Sequence, residues 1–237
     1  MSLDRVPTGV PGMDQLIGGG FPRNSLNLIS GPAGSGKTLF ALQYLWNGYR
    51  AHGDVGAYLA LEESRGSILR VAECFGMDLA QADAEGKLHI IDLGEIRGKG
   101  NRSVVGFREL KDFLTSFLPS SHATRLVIDS LPVVGLFYKT PEGLREEMFS
   151  FARYLRDEGV TPLLITESLE DAALTRYGVE QFVADSFIIL GLEKVKGELR
   201  RTVTVRKMRF TKHDTGTHPF FITPHGIEIS ADERVIA

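Results

Sequence analysis

Gly31-Pro32-Ala33-Gly34-Ser35-Gly36-Lys37-Thr38 sets glycines, a lysine and a hydroxyl at the spacing G-x-x-x-x-G-K-[ST]. Glycines at these points let consecutive backbone N–H groups curl around phosphate oxygens, and a helix starting at Gly36 would aim its positive end at them. Lys37 would reach the β- and γ-phosphates, while the Thr38 hydroxyl suits Mg²⁺. Gly34, Ser35, Gly36, Lys37, Thr38 and Leu39 are therefore the candidate nucleotide-binding residues, and ATP with Mg²⁺ is the expected ligand pair. The competing reading is a glycine-rich turn with an incidental lysine. An apolar run before the loop and an amphipathic one after it favour the phosphate cradle.

Phosphoryl transfer to water needs a second metal-side group and a carboxylate to align the water. Leu126-Val127-Ile128 ends in Asp129, a candidate metal residue beside Thr38; the ordinary alternative is an aspartate capping a turn. Glu62-Glu63 closes the strand-like run that follows the phosphate-loop helix and should emerge at the same sheet edge. Side chains alternate along a strand, so only one of the pair is expected to face the site. The bland alternative is a solvated acidic turn opening the next helix. Thr166 ends a later strand, where it is a candidate γ-phosphate sensor, with a capping role as the alternative.

The elements that must position these groups follow from periodicity. Residues 25–30, 56–61, 88–91, 125–129 and 162–166 read as strands, and 37–51, 64–75, 107–118 and 142–158 as helices. Such alternation predicts an α/β fold with a mostly parallel central sheet flanked by helices on both faces. Residues 185–192, 199–210 and 220–229 read as strands with no helix between them, hence antiparallel C-terminal strands. Within one domain of 237 residues, 1–24 forms a lead-in, 25–192 the core and 193–237 the C-terminal strands and a region for contact between subunits. The polar, glycine-rich stretch 94–106 reads as a mobile loop.

A hydrophobic fraction of 43% supports a substantial core, and a single cysteine excludes an intrachain disulfide. Cys74 is expected to be a buried small hydrophobe. A net charge of −3 gives no global pull toward nucleic acid or an anionic membrane. With no apolar run of membrane-spanning length and no secretory leader pattern, the expected location is cytoplasmic.

Further blocks carry a resemblance. They are the glycine-rich entry ending Gly18-Gly19-Gly20, Leu61-Glu62-Glu63-Ser64 and Asp129-Ser130. Later come Arg176-Tyr177-Gly178-Val179-Glu180-Gln181-Phe182-Val183-Ala184-Asp185, then Lys207-Met208-Arg209 with Thr211 and His213, and finally Pro219-Phe220-Phe221-Ile222-Thr223 and His225-Gly226-Ile227. Together with the phosphate loop, over residues 8–229, they resemble the KaiC-like branch of the RecA superfamily of P-loop ATPases. The resemblance implies a RecA-like core, slow turnover and a homohexameric ring with ATP between neighbouring subunits. It also implies that Glu62 and Glu63 are the catalytic glutamate pair, Glu62 being the better candidate base. Lys207 and Arg209 would act on the γ-phosphate of the neighbour's ATP, with Met208, Thr211, His213 and Thr223 lining that side. Independently, two cations two residues apart on a strand project from one face roughly 7 Å apart and suit a phosphate, or else form a basic edge that discourages aggregation.

The chain departs from the clock protein that names the family. It carries one such domain where that protein has two. Gln181-Phe182 stand where that protein's second domain has a phosphorylated Ser-Thr pair, and Pro224 stands where the family has an acidic residue. Two roles remain side by side. One is a regulatory or signalling ATPase whose state is read by a protein partner, with a nucleotide-stabilised scaffold as its limiting form. The other is a recombinase-like DNA-binding ATPase, using the basic concentration from Lys194 and Lys196 to Lys212. Glu193 and Glu198 interrupt that concentration and no aromatic single-strand platform is evident, which favours the first.

Overall fold

The computed structural model describes residues 3–93, 105–168, 174–195 and 197–235. Strands β3 (Asn27–Gly31), β4 (Gly56–Ala60), β5 (Leu88–Asp92), β6 (Arg125–Asp129) and β7 (Thr161–Glu167) are buried, apolar runs separated by helices. Helices α2 (Lys37–Asn47), α3 (Arg65–Cys74) and α4 (Leu79–Ala84) lie between β3 and β5. Helices α5 (Phe107–Ser121), α6 (Leu131–Gly135) and α7 (Pro141–Asp157) lie between β5 and β7. Strands β8 (Ser186–Val195), β9 (Glu198–Met208), β10 (Thr217–Thr223) and β11 (Gly226–Ile229) close the chain after the short α8 (Glu180–Val183). Among the described residues one nine-stranded sheet has the order β11-β10-β9-β8-β3-β7-β6-β4-β5. It is parallel from β5 to β8 and antiparallel from β8 to β11. The fold is thus a mostly parallel α/β sheet with antiparallel C-terminal strands.

Strand alternation assigns each side chain to one of two cores. Ile29, Tyr58, Ala60, Val127, Leu163 and Ile165 pack against α2, α3 and α4. Leu28, Ala57, Leu59, Leu126, Ile128 and Leu164 pack on the other face against α5 and α7. The lead-in joins the first core: β1 (Arg5–Val6) pairs with β2 (Phe21–Pro22) around α1 (Met13–Leu16), burying Val6, Val10, Met13, Ile17 and Phe21.

Several expected boundaries shift. The strand expected over 56–61 stops at Ala60, and residues 61–63 bend. The helix expected over 37–51 is α-helical to Asn47, then a π-helical turn over Gly48–His52. Residues 220–229 hold a tight hairpin, Thr223 pairing with Gly226 across Pro224-His225, because proline donates no ladder hydrogen bond. Cys74 is exposed near the end of α3, since only Ile68 and Ala72 of that helix are buried. The loop expected over 94–106 lies outside the described residues except for 105 and 106. Lys196 lies outside them too.

The buried Arg125 explains the widened turn at Gly48. Its Nε donates to Asp54 Oδ2 at 2.7 Å and its Nη1 to Pro7 O and Tyr44 O at 2.8 Å each, with the guanidinium 4.7 Å from the Tyr44 ring centre. A Cβ on Gly48 would fall 2.4 Å from Arg125 Nε, so the position excludes a side chain. Arg125→Leu would strip a donor from two carbonyls and leave Asp54 unpaired. A loss of about 3 kcal/mol is expected, read as a lower urea midpoint at unchanged m-value.

Candidate active site

Parity brings the candidate residues together. Tyr58 and Ala60 on β4, Val127 and Asp129 on β6, and Ile165 and Glu167 on β7 all belong to the face covered by α2. At their C-terminal ends these strands meet the loop between β3 and α2. The resulting cleft is lined by Lys37, Thr38, Tyr58, Glu62, Glu63, Asp129, Ser130 and Glu167. Both glutamates line it, against the expectation of one, because the strand has ended before them and alternation no longer applies. They differ in their ties. Glu62 Oε1 accepts from Ser130 Oγ next to Asp129, whereas Glu63 Oε2 accepts from Ser67 Oγ of α3 at 2.5 Å. Glu62 is the one turned toward Asp129.

Thr38 Oγ1 donates to Asp129 Oδ2 at 2.8 Å, and the Tyr58 hydroxyl donates to the same oxygen at 2.5 Å. Burial pushes the Asp129 carboxyl above the usual range, and these two donors oppose it. Lys37 Nζ donates to Gly31 O at 2.8 Å and Pro32 O at 2.9 Å. Burial lowers the Lys37 ammonium below the ordinary lysine value, while Glu167, Asp129 and Glu62 pull it back.

These residues fit a magnesium-bound polyphosphate. Gly34 at φ 77° and Gly36 at φ 100° shape a loop that an L side chain would strain, and a Cβ on Gly34 would meet open space. Ser35 Oγ is buried and has no hydrogen-bond partner among the described residues. The hydroxyl and carboxylate of Thr38 and Asp129 are hard oxygen donors, the type Mg²⁺ prefers.

Thr166 does not reach the cleft. Sitting on the Leu164 face, it is buried and donates to Glu180 Oε1 at 3.0 Å; Glu167, one residue on, lines the cleft instead. Alternation along β7, applied to its last two residues, was the signal for Glu167. Tyr58, on the same parity as Ala60 of β4, had the same signal. The carboxylates of Glu180 and Asp185 organise the backbone around α8. Glu180 accepts from Tyr177 N at 3.1 Å and Val179 N at 3.1 Å, and Asp185 from Leu26 N at 3.0 Å and Arg156 Nε at 3.1 Å.

Lys207 and Arg209 lie elsewhere. Lys207 Nζ donates to Gln181 O and Ala184 O at 3.2 and 2.5 Å, and Arg209 Nη1 donates to Asp185 Oδ1 at 3.1 Å. Burial, then the neighbouring Arg209 charge, lowers the Lys207 ammonium, with Asp185 opposing. Asp185 precedes β8 at the N-terminal end of the parallel strands, opposite the phosphate loop. Four strand spacings, about 19 Å, separate β9 from β6. This pair therefore cannot reach the cleft of its own chain.

The other residues expected with them divide. Thr211 Oγ1 accepts from Arg5 Nη2 at 2.8 Å, and Arg5 Nη1 binds Ile17 O and Gly20 O, which ties the glycine-rich entry to this edge. His213 Nδ1 lies 3.4 Å from Thr211 O. Met208, only 4% exposed, packs its side chain in the core, because alternation turns it away from Lys207 and Arg209. Thr223 ends β10, which runs parallel to β3. It therefore sits at the phosphate-loop edge, apart from Lys207, and its Oγ1 donates to Gly226 O at 3.2 Å.

A family model described as the KaiC ATPase matches residues 6–234. The chain is 38% identical to a UPF0273 protein of Thermotoga maritima, over 98% of both chains. It is 36% identical to the circadian clock oscillator protein KaiC of Synechococcus elongatus, covering 96% of this chain and 44% of that one. This chain thus spans less than half of the clock protein. Among solved structures, a KaiC-like protein of Pyrococcus horikoshii superposes with a TM-score of 0.85 at 35% identity, over 96% of this chain and 99% of the other. No helix among the described residues is long and apolar enough to cross a membrane. With a phosphate loop, a Thr38–Asp129 pair and a facing glutamate on this sheet, and a family match over nearly its whole length, the chain belongs to the KaiC family of ATPases.

Proposed function

We propose that this chain hydrolyses ATP slowly, with Mg²⁺, in clefts completed by a neighbouring copy, and acts as a regulatory or signalling ATPase. The observation that carries the reading is the separation of its parts. The phosphate loop, Asp129 and Glu62 share one cleft, while the paired cations Lys207 and Arg209 lie on the opposite edge of the sheet.

In this reading the loop N–H groups and Lys37 hold the phosphates, and Thr38 and Asp129 hold the metal. Bound Mg²⁺ supplies charge neutralisation at the β- and γ-phosphate oxygens. Glu62 aligns the attacking water and takes its proton. Lys207 and Arg209 of the adjacent copy approach the γ-phosphate and meet the charge that develops there. Slowness has two structural supports: the Ser130 hydroxyl already engages a Glu62 oxygen, and the cleft in one chain lacks the second set of cations. A homohexameric ring satisfies this head-to-tail arrangement, since a heterologous contact that closes makes a ring.

The test is native mass together with phosphate release across a concentration series in Mg-ATP. Specific activity is expected to rise steeply as the chain assembles. A monomer with full specific activity at every concentration would sink the reading.

A further inference from the structure

The edge that carries Lys207 and Arg209 also carries two unsheltered aromatic rings. Phe210 follows Arg209 directly and is 78% exposed; Phe182, between the backbone groups that hold Lys207 Nζ, is 57% exposed. Large apolar side chains scattered singly on a surface need no explanation, but these two flank one cation pair. Phe210 also has φ 61°, a left-handed backbone that a bulky residue without a local polar partner adopts at a cost. Glycine would remove that cost. The ring is thus neither buried in the chain nor placed on relaxed backbone, so its benefit must come from outside the chain.

We infer that Phe182 and Phe210 are the apolar anchors by which one copy docks on the phosphate-loop edge of the next. The inference rests on the proposed action of Lys207 and Arg209 on a neighbour. Charge points to that occupant: Lys207 and Arg209 on this edge complement a cleft lined by Glu62, Glu63, Asp129 and Glu167, with Lys37 the one cation there among the described residues. Apolar surface matches as well. Leu136, 73% exposed, and Phe137, 46% exposed, follow α6, the short helix that starts directly after Asp129-Ser130. Aromatic anchors seated at an otherwise charged contact are the pattern of an interface hot spot, and the burial of two rings would hold the flanking cations in register.

The experiment uses the full chain, Phe210→Gly, the Phe182→Ser/Phe210→Ser double variant and the Lys207→Ala/Arg209→Ala variant. Each is followed by sedimentation in Mg-ATP over a concentration series, by thermal unfolding without nucleotide, by binding of a fluorescent ATP analogue, by phosphate release and by retention on single-stranded DNA. Phe210→Gly should unfold at the same temperature as the parent chain or higher, bind the analogue equally, and need ~10-fold more protein to half-assemble. The double variant should stay unassembled where the parent is fully assembled. Parent-like assembly of both phenylalanine variants overturns the inference. So does a lower melting temperature for Phe210→Gly, which would mean the ring packs within the chain. Unchanged assembly with lost retention on single-stranded DNA would overturn it too, assigning the rings to nucleic acid. If the parent chain itself never assembles, the trans reading fails as well. If Lys207→Ala/Arg209→Ala assembles but does not turn over while the phenylalanine variants assemble normally, only the anchor assignment falls.

Discussion

Glu62→Gln is expected to bind ATP as tightly as the parent chain and to release phosphate ~10²–10⁴-fold more slowly, the range for loss of a general base. Glutamine keeps the size of the side chain and the oxygen that accepts from Ser130 Oγ, so the bend over residues 61–63 should hold its shape. What it loses is the ability to take a proton from water. Glu63→Gln should fall much less, because Glu63 is tied to Ser67 on α3 and not to the aspartate side of the cleft. Lys37→Ala is the contrasting variant. It removes the one cation lining the cleft among the described residues, so nucleotide binding itself should go. Single-turnover phosphate release and titration with a fluorescent ATP analogue separate the two cases. An equal loss in Glu62→Gln and Glu63→Gln would move the base away from Glu62. Phosphate release unchanged in Glu62→Gln and Lys37→Ala alike would remove the cleft from the chemistry altogether.

Much of this cleft is legible before any coordinates, and the reason is the short period of a strand. Once residues 125–129 read as a strand ending at Asp129, the α2 face receives Val127 and Asp129; the same counting on β4 delivers Tyr58 and Ala60, with Glu62 and Glu63 just past the strand end at the same cleft. Counting on β7 would have delivered Glu167 in place of Thr166, whose hydroxyl lies under α8 beside Glu180. Local pattern fails where tertiary contacts decide. The π-helical turn at Gly48 answers the Arg125 guanidinium, which arrives from a strand 77 residues on. The exposed Cys74 reflects how little of α3 meets the sheet. Motif adjacency also misleads at Met208 and Thr223. Neighbours in sequence alternate across a strand, and β10 reverses the direction of β9, so residues close in a motif end on opposite faces or opposite edges.

Mixing Lys207→Ala with Glu62→Gln is expected to restore turnover that neither variant has alone. A chain with Lys207→Ala keeps an intact phosphate loop, Asp129 and Glu62, and lacks only a group it would offer to the next copy. A chain with Glu62→Gln keeps Lys207 and Arg209 and lacks only its own base. Where the first lends its cleft and the second its edge, the contact between them contains every wild-type group. Random equimolar assembly makes about a quarter of head-to-tail contacts of this kind, so about a quarter of parent activity should return. If both sets of residues acted within one chain, every chain in the mixture would lack one of them and no activity would return. The roughly four strand spacings between β9 and β6 make the first outcome the expected one. The decisive control is assembly. A mixture that sediments like the parent chain in Mg-ATP yet releases phosphate no faster than its components would exclude catalysis across the contact. Recovery that scales with the product of the two variant fractions would establish that a Lys207 from one copy serves the Glu62 cleft of another.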